Sequence, residues 1–195
     1  MRRGIADLKT RLPAAGAVLD LGCGCGVPVA RSLAASGYQV TGVDISEVQI
    51  DRARRLVPAG TFLHADATHV GFPLESFDAI VCLYALIHMP LTAQPHLLRR
   101  AASWLRPAGW LLAVGGHSAW TGTEDNWLGG HALMWWSHAD ADTYRRWFEQ
   151  AGSGDRRRGV RSRRRWRSCA LLGATTFSLT RLPHRLIRSL VPDIQ

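Results

Sequence analysis

The segment VLDLGCGCGV (18–27) places three glycines at alternate positions directly after an acid that ends an apolar run. Glycine adopts positive φ readily and has no side chain, so this pattern predicts a turn whose bare backbone a ligand can approach. The dinucleotide fingerprint does not fit, because Val27 and Val29 stand where it needs a third glycine. No Gly-Lys-Ser/Thr follows either, which argues against a phosphate-binding P-loop. The turn is therefore expected to hold a nucleoside without a pyrophosphate.

Two further acids stand at equivalent places along the chain. Asp44 ends the predicted strand YQVTGVD, and Asp66 ends the predicted strand TFLHAD, as Asp20 ends the first strand. A carboxylate after the second strand can accept both ribose hydroxyls, and one after the third can accept from an amino group such as that of adenine. A single acid after a strand is more commonly a helix cap or a solvated loop residue. Three at matching positions predict one shared site.

Short apolar strands alternate with amphipathic helices, which predicts an α/β fold with a three-layer, doubly wound, mostly parallel sheet. The predicted strands are 17–21, 38–44, 61–66, 77–84 and 110–116. Predicted helices cover 26–35 and 46–56, a segment around 97–105 that PAG (107–109) ends, and one opened by a capping box of Ser137 and Asp140. The segment 117–138 shows no clear periodicity and is expected to be a long loop.

The segment VLDLGCGCGVPVARSLAASGYQVTGVDIS, followed by HADAT, FDAIVCLYALIHMP and LRRAASWLRPAGWLLAVGG, resembles a class I S-adenosylmethionine-dependent methyltransferase of the small-molecule type. The resemblance covers about residues 12–152. It implies a seven-stranded, mostly parallel sheet closed by a C-terminal antiparallel pair.

The resemblance also implies S-adenosylmethionine as cofactor. The glycine turn would hold its methionine part, the acid after the second strand its ribose, and the acid after the third strand its adenine. The implied cofactor-binding residues are Asp20, Gly22, Cys23, Gly24, Gly26, Asp44, Ile45, Asp66, Ala67, Leu83 and Tyr84.

The methyl acceptor is expected to bind near His88, which lies just beyond the fourth strand and is a candidate general base. The alternative is that His88 only packs or hydrogen-bonds in the wall of the pocket. Trp120, Trp127 and Trp136 are candidate contacts to the methyl acceptor, as part of an apolar lid over a small molecule. A satellite core beneath a surface loop is the competing interpretation.

The net charge of +9 comes entirely from one end of the 195-residue chain. Residues 1–152 hold 13 Lys and Arg against 13 Asp and Glu, whereas residues 153–195 hold 11 Arg against two Asp. The sequence therefore predicts a methyltransferase domain at 1–152 and an atypical Arg-rich tail at 153–195, with 168–182 as its one candidate strand. Nucleic acid is expected to bind only non-specifically, through the tail.

Three hypotheses account for the tail. It is a segment that binds nucleic acid or another anionic surface, a solvated disordered tail, or the product of a frameshift near Ser153. Acidic codons of a GC-rich gene, read one base off, yield Arg, Gly and Ser with few acids, which is the composition found here. Sequencing of the gene tests the frameshift, which is excluded if no one-base change restores an ending of strand, acidic turn and strand.

Several other features limit the function classes. No apolar run approaches the roughly 18 residues needed to cross a bilayer, so a cytoplasmic protein is expected. The four cysteines do not have zinc-ligand spacing, and no metal site is predicted. Two alternatives to methyl transfer to a small molecule remain at this point: a nicotinamide-dependent oxidoreductase, and a non-catalytic nucleic-acid binder acting through the tail.

Overall fold

The apolar runs of the sequence form the strands of the computed structural model, which describes residues 2–126, 131 and 133–153. The strands are β1 Ala17–Leu21, β2 Gln39–Asp44, β3 Thr61–His64, β4 Phe77–Cys82, β5 Leu105–Ala113, β6 Trp120–Glu124 and β7 Met134–His138. The α-helices are α1 Arg2–Lys9, α2 Val29–Ala34, α3 Glu47–Leu56, α4 Gln94–Trp104 and α5 Ala141–Ser153. A 3₁₀ helix, Leu86–His88, follows β4.

Five parallel strands make up the central sheet, in the order β3-β2-β1-β4-β5. In the register, Asp20 of β1 lies between Gly42 of β2 and Val81 of β4. The direction in which strands are added reverses between β1 and β4. In open α/β sheets, ligands bind in the crevice at the carboxyl ends of the strands beside this reversal.

Helices cover both faces of the sheet, which confirms the predicted doubly wound α/β architecture. One buried cluster joins α1, α2 and α3 to the sheet, with Leu8, Leu33 and Ile50 fully buried. A second cluster joins α4 and α5 to the opposite face and includes Leu97 and Tyr144. The apolar stripes of the amphipathic helices therefore supply both layers of the core.

Several predicted boundaries need correction. The strand β5 begins at Leu105 and includes PAG (107–109), because a shift in its register with β4 accommodates those residues. Helix α2 begins at Val29 rather than at residue 26. It directly follows Pro28, and proline is a favoured residue at the start of a helix. Strands β3 and β4 end two residues earlier than expected.

The predicted loop 117–138 contains an antiparallel pair of strands, β6 and β7, in a sheet of their own. Ser137 lies within β7 and does not cap a helix. The cap of α5 is Asp140, whose Oδ1 accepts from the Thr143 amide at 2.7 Å. By contrast, Ser46 caps α3 as predicted, accepting from the Gln49 amide.

Among the described residues, the helices are all too short or too polar to span a bilayer. Within the predicted domain, Met1, 127–130 and 132 lie outside the described residues, as do 154–195 of the tail with its candidate strand 168–182.

Candidate functional site

The glycine turn after β1 is held by backbone contacts that require glycine. The amides of Gly22 and Cys23 both donate to the carbonyl of Val43, at 2.8 and 3.0 Å. Gly22 has a φ of +72°, and a Cβ added there would lie 2.1 Å from the Cβ of Ala85. The turn therefore passes directly beneath the segment that follows β4. Gly24, with a φ of +53°, has no atom within 4 Å of an added Cβ and faces open space.

A cavity of about 260 Å³ lies at this turn. Its lining comes from the ends of β1 and β4, the two strands at the reversal of strand order, and from the start of α2. The lining residues are Asp20, Gly22, Cys23, Gly24, Val27, Pro28, Val29, Leu83 and Tyr84. Pockets for small molecules usually exceed roughly 300 Å³. The cavity therefore suits only part of a nucleoside cofactor, and the remainder would lie along the open carboxyl edge of the sheet.

Tyr84 has an unusual backbone conformation within this lining. Its φ of +64° lies in the left-handed region, which residues with a Cβ seldom adopt. The side chain is 48% exposed although it is aromatic. Such strained positions cluster at ligand sites, because the surrounding structure must maintain them.

Asp20 is the buried charge of the site. The residue is only 2% exposed, and its Oδ2 has no hydrogen-bond partner among the described residues. Burial, and secondarily the negative charge of Asp44, raises the pKa of Asp20 from 3.8 to about 7. A cationic ligand in the cavity would favour the ionised carboxylate and lower this pKa.

Asp44 joins the glycine turn to the second strand. Its Oδ2 accepts from the Gly24 amide at 2.8 Å, and its Oδ1 accepts from the Ser46 amide at 2.9 Å. The carboxylate is therefore fixed beside the open backbone of Gly24. Each of its oxygens retains a free acceptor direction for a ligand hydroxyl.

Asp66 organises the turn after β3. Its Oδ1 accepts from the amide and hydroxyl of Thr68, and its Oδ2 lies 2.8 Å from His69 Nδ1. Partial burial acts to raise the pKa of Asp66, but the hydrogen bonds from Thr68 and His69 outweigh it and lower the pKa. Asp66 therefore remains a carboxylate at the edge of the sheet. Neither Asp66 nor Asp44 contributes to the lining of the cavity beside Asp20.

Arg100 of α4 holds the other end of this turn. Its guanidinium donates to the carbonyls of Thr68, His69 (3.1 Å) and Val70, and its Cζ lies 5.1 Å from the centre of the Trp104 ring. Three carbonyls on one guanidinium fix the turn to the helix layer. Nothing in the local sequence pattern marked Arg100, because the contact spans about 30 residues.

The remaining predicted cofactor residues are more dispersed. Gly26 packs against Val57 and Phe62, away from the cavity lining. Ile45 lies beyond the end of β2 with its side chain 71% exposed. Ala67 is buried in the core, so only its backbone would be available to a ligand.

His88 lies in the 3₁₀ helix after β4, and its amide donates to Ala85, the residue above Gly22, at 3.0 Å. Its Nδ1 lies 2.7 Å from the carbonyl oxygen of Trp135 in β7. A carbonyl can only accept, so Nδ1 carries the proton and, in the neutral ring, Nε2 holds the lone pair. This is the tautomer that a base acting through Nε2 requires.

The hairpin of β6 and β7 places aromatic rings around His88. The ring of Trp136 lies 4.5 Å from the His88 ring and 6.3 Å from the Trp120 ring, measured between centres. Trp136 is buried, as in a satellite core, whereas Trp120 is half-buried and Trp135 is 46% exposed. Trp127 lies outside the described residues.

Sequence reasoning missed three lining residues, Val27, Pro28 and Val29, because the helix was expected to begin at residue 26. The preference of proline for the first turn of a helix was the signal that could have found them. The thiol of Cys23 lies close to Gly42, since a Cβ added at Gly42 would be 2.8 Å from the Cys23 sulfur. Among the residues described, no three His, Cys, Asp or Glu side chains form a group that could hold a metal ion.

Residues 18–109 match the family model described as "Methyltransferase domain". The 27-O-demethylrifamycin SV methyltransferase of Amycolatopsis mediterranei (strain S699) is 42% identical over 104 residues, which are 50% of this chain and 37% of that protein. A ubiquinone biosynthesis O-methyltransferase of Stutzerimonas stutzeri (strain A1501) is 35% identical over 98 residues, 47% of this chain and 40% of that protein.

Among solved structures, a SAM-dependent methyltransferase from Methanosarcina mazei aligns with a TM-score of 0.67 at 19% identity. The alignment covers 74% of this chain and 82% of that one. This likeness shows the fold, including the parallel sheet with helices on both faces. The chain spans less than half the length of the curated relatives it matches.

Proposed function

We propose that this chain, a class I S-adenosylmethionine-dependent methyltransferase by its family match and its fold, transfers a methyl group to a small molecule. The observation that carries the proposal is the buried, unpartnered carboxylate oxygen of Asp20 in a cavity at the reversal of strand order. The comparisons give no support to the oxidoreductase or nucleic-acid alternatives. We also propose a cytoplasmic location.

The residues present fit the cofactor. S-adenosylmethionine supplies, when bound, an electrophilic methyl group on a sulfonium, next to a cationic amino group. Asp20 would hold the cationic methionine part above Gly22 and Gly24, where an added Cβ at Gly24 would meet no atom. Asp44 would accept from the ribose hydroxyls, and the turn at Asp66 and Ala67 would meet the adenine. Leu83 and Tyr84 would cover the opposite side.

His88 would act as the general base. The acceptor must approach the methyl group in line and without competing water. The His88–Trp135 hydrogen bond leaves Nε2 able to take the proton of an acceptor hydroxyl as the new bond forms. A hydroxyl acceptor agrees with the relatives, one of which is an O-methyltransferase by name.

The acceptor would lie against the hairpin of β6 and β7. Half-buried Trp120 presents aromatic surface, and buried Trp136 packs beside His88. This arrangement favours an apolar or aromatic small molecule.

Calorimetric titration of the whole chain with S-adenosylmethionine and with NADH tests the proposal. We expect saturable binding of S-adenosylmethionine and none of NADH. Binding of NADH alone, or of neither compound, would contradict it.

A further inference from the structure

A buried glutamine joins the two segments that hold His88. Gln94, the first residue of α4, is 0% exposed. Its amide nitrogen donates to the carbonyl of Met89 at 2.9 Å and to that of Ser137 at 2.6 Å. Met89 directly follows His88. Ser137 lies two residues after Trp135, whose carbonyl accepts the His88 proton.

The orientation of the Gln94 amide is fixed by its partners. Two carbonyl oxygens can only accept, so they must face the NH₂ group. The remaining oxygen, Oε1, accepts from the Tyr144 hydroxyl at 2.7 Å. Burial raises the pKa of Tyr144 to about 12, so this hydroxyl keeps its proton at neutral pH. Both amide protons are therefore committed to the two carbonyls.

These contacts hold β7 at two points. Carbonyls two residues apart in a strand point the same way, so those of Trp135 and Ser137 face the 3₁₀ helix and α4 together. His88 donates to the first and Gln94 to the second. Without the Gln94 donor, the Ser137 carbonyl would lose its attachment to α4. The Trp135 carbonyl would then no longer be held at the distance that fixes the proton on His88 Nδ1.

We propose that Gln94 is a positioning residue, which keeps His88 in the Nδ1–H tautomer by fixing β7 against the 3₁₀ helix. Gln94 does not touch the acceptor or the cofactor in this scheme; it acts through the position of the Trp135 carbonyl. The proposal rests on the proposed role of His88 as the base.

Nitrogen-15 NMR of the histidine rings tests this without a known acceptor. The ring is observed at alkaline pH, where it is neutral, and the His88 signals are assigned by comparison with His88→Asn. We expect the Nδ1–H form in the wild-type chain and a mixture of tautomers in Gln94→Met, which conserves side-chain length but has no donor. Tyr144→Phe disturbs the same buried network while leaving both Gln94 donors in place, so it should retain the wild-type tautomer.

A folded Gln94→Met chain with His88 still wholly in the Nδ1–H form would overturn the proposal, as would a wild-type chain with the proton on Nε2. Should Gln94→Met not fold, Gln94→Asn keeps the amide but is too short to reach both carbonyls, and the same mixture is expected. The wild-type sample is also titrated with S-adenosylhomocysteine as a separate test. A lack of binding counts against the proposed function, while the tautomer result still decides the role of Gln94.

Discussion

At the scale of single residues, the carboxyl group of Asp20 is buried. Its ionised form destabilises the folded state there and would stabilise a bound cationic ligand. Its pKa is raised from 3.8 in the unfolded chain to about 7 in the folded one. The folded state therefore binds more protons between these values, and the stability contributed by this group is lost as the pH rises from about 4 to about 7. The loss amounts to as much as about 4 kcal/mol, from 1.36 kcal/mol per pKa unit.

Asp20→Asn should remove this dependence, because an amide of the same shape cannot ionise. We expect the variant to melt close to the wild type at about pH 4 and above it at pH 8, where the wild-type carboxyl is ionised. Its affinity for S-adenosylmethionine should fall, since the ligand loses a carboxylate partner. Thermal melts across this pH range check the first expectation, and a constant difference in melting temperature would contradict it.

Gly24 and Gly37 form a matched pair. Both have positive φ, +53° and +83°, and an added Cβ meets no atom within 4 Å at either position. Alanine should therefore cost roughly 1–2 kcal/mol of stability at each. Of these two glycines, Gly24 lines the cavity and Gly37 does not. Calorimetry should therefore show weaker S-adenosylhomocysteine binding, by about tenfold or more, for Gly24→Ala and not for Gly37→Ala. Equal affinities of the two variants would show that the Gly24 backbone is not part of the binding site.

At the scale of elements, the turn at 66–70 depends on α4 through Arg100. Arg100→Gln removes the guanidinium that holds three carbonyls of the turn, so Asp66 becomes less well placed. We expect affinity for S-adenosylhomocysteine to fall by roughly 1 kcal/mol, or about fivefold in Kd. Arg99→Gln is the control, because Arg99 on the exposed side of the same helix bonds to His96 alone among the described residues. An equal loss in both variants would show a charge effect instead.

The elements that the sequence predicted well are those with a local signal. Periodicity located every strand of the central sheet, and the Ser46 cap located the start of α3, because each depends on neighbouring residues alone. The hairpin was missed because its strands are short, rich in Trp and Gly, and stabilised by contacts to the 3₁₀ helix and α4. Gln94 was likewise unmarked, since burial of a glutamine depends on partners over 40 residues away.

Site prediction followed the same division. The sequence could predict that the three acids and the glycine turn lie at one edge of the sheet, because each ends or follows a predicted strand and parallel strands bring their carboxyl ends together. That these residues bind a cofactor stays a prediction. Asp20, Leu83 and Tyr84 line one cavity because β1 and β4 are neighbours in the sheet. The pattern of residues along the chain does not show which strands are neighbours in the sheet.

At the scale of the whole molecule, we propose that residues 1–152 are the catalytic domain and residues 153–195 a separate tail. In the described part of the chain, β5 is the edge of the central sheet, and unprotected edges are a liability. If the tail arises from a frameshift, restoring the frame near Ser153 should add the family's closing strands beside β5. We expect the restored chain to melt at a higher temperature in differential scanning calorimetry. Equal melting temperatures would count against a frameshift.

We propose that the carboxylates and bare backbone after β1 and β2 bind S-adenosylmethionine. Isothermal titration with S-adenosylhomocysteine on the wild type, Asp44→Ala and Asp51→Ala tests it most directly, with exposed Asp51 of α3 as the control. We predict binding to the wild type, a loss of about 1–3 kcal/mol in Asp44→Ala, and no change in Asp51→Ala. An Asp44→Ala chain that binds as tightly as the wild type would contradict the account.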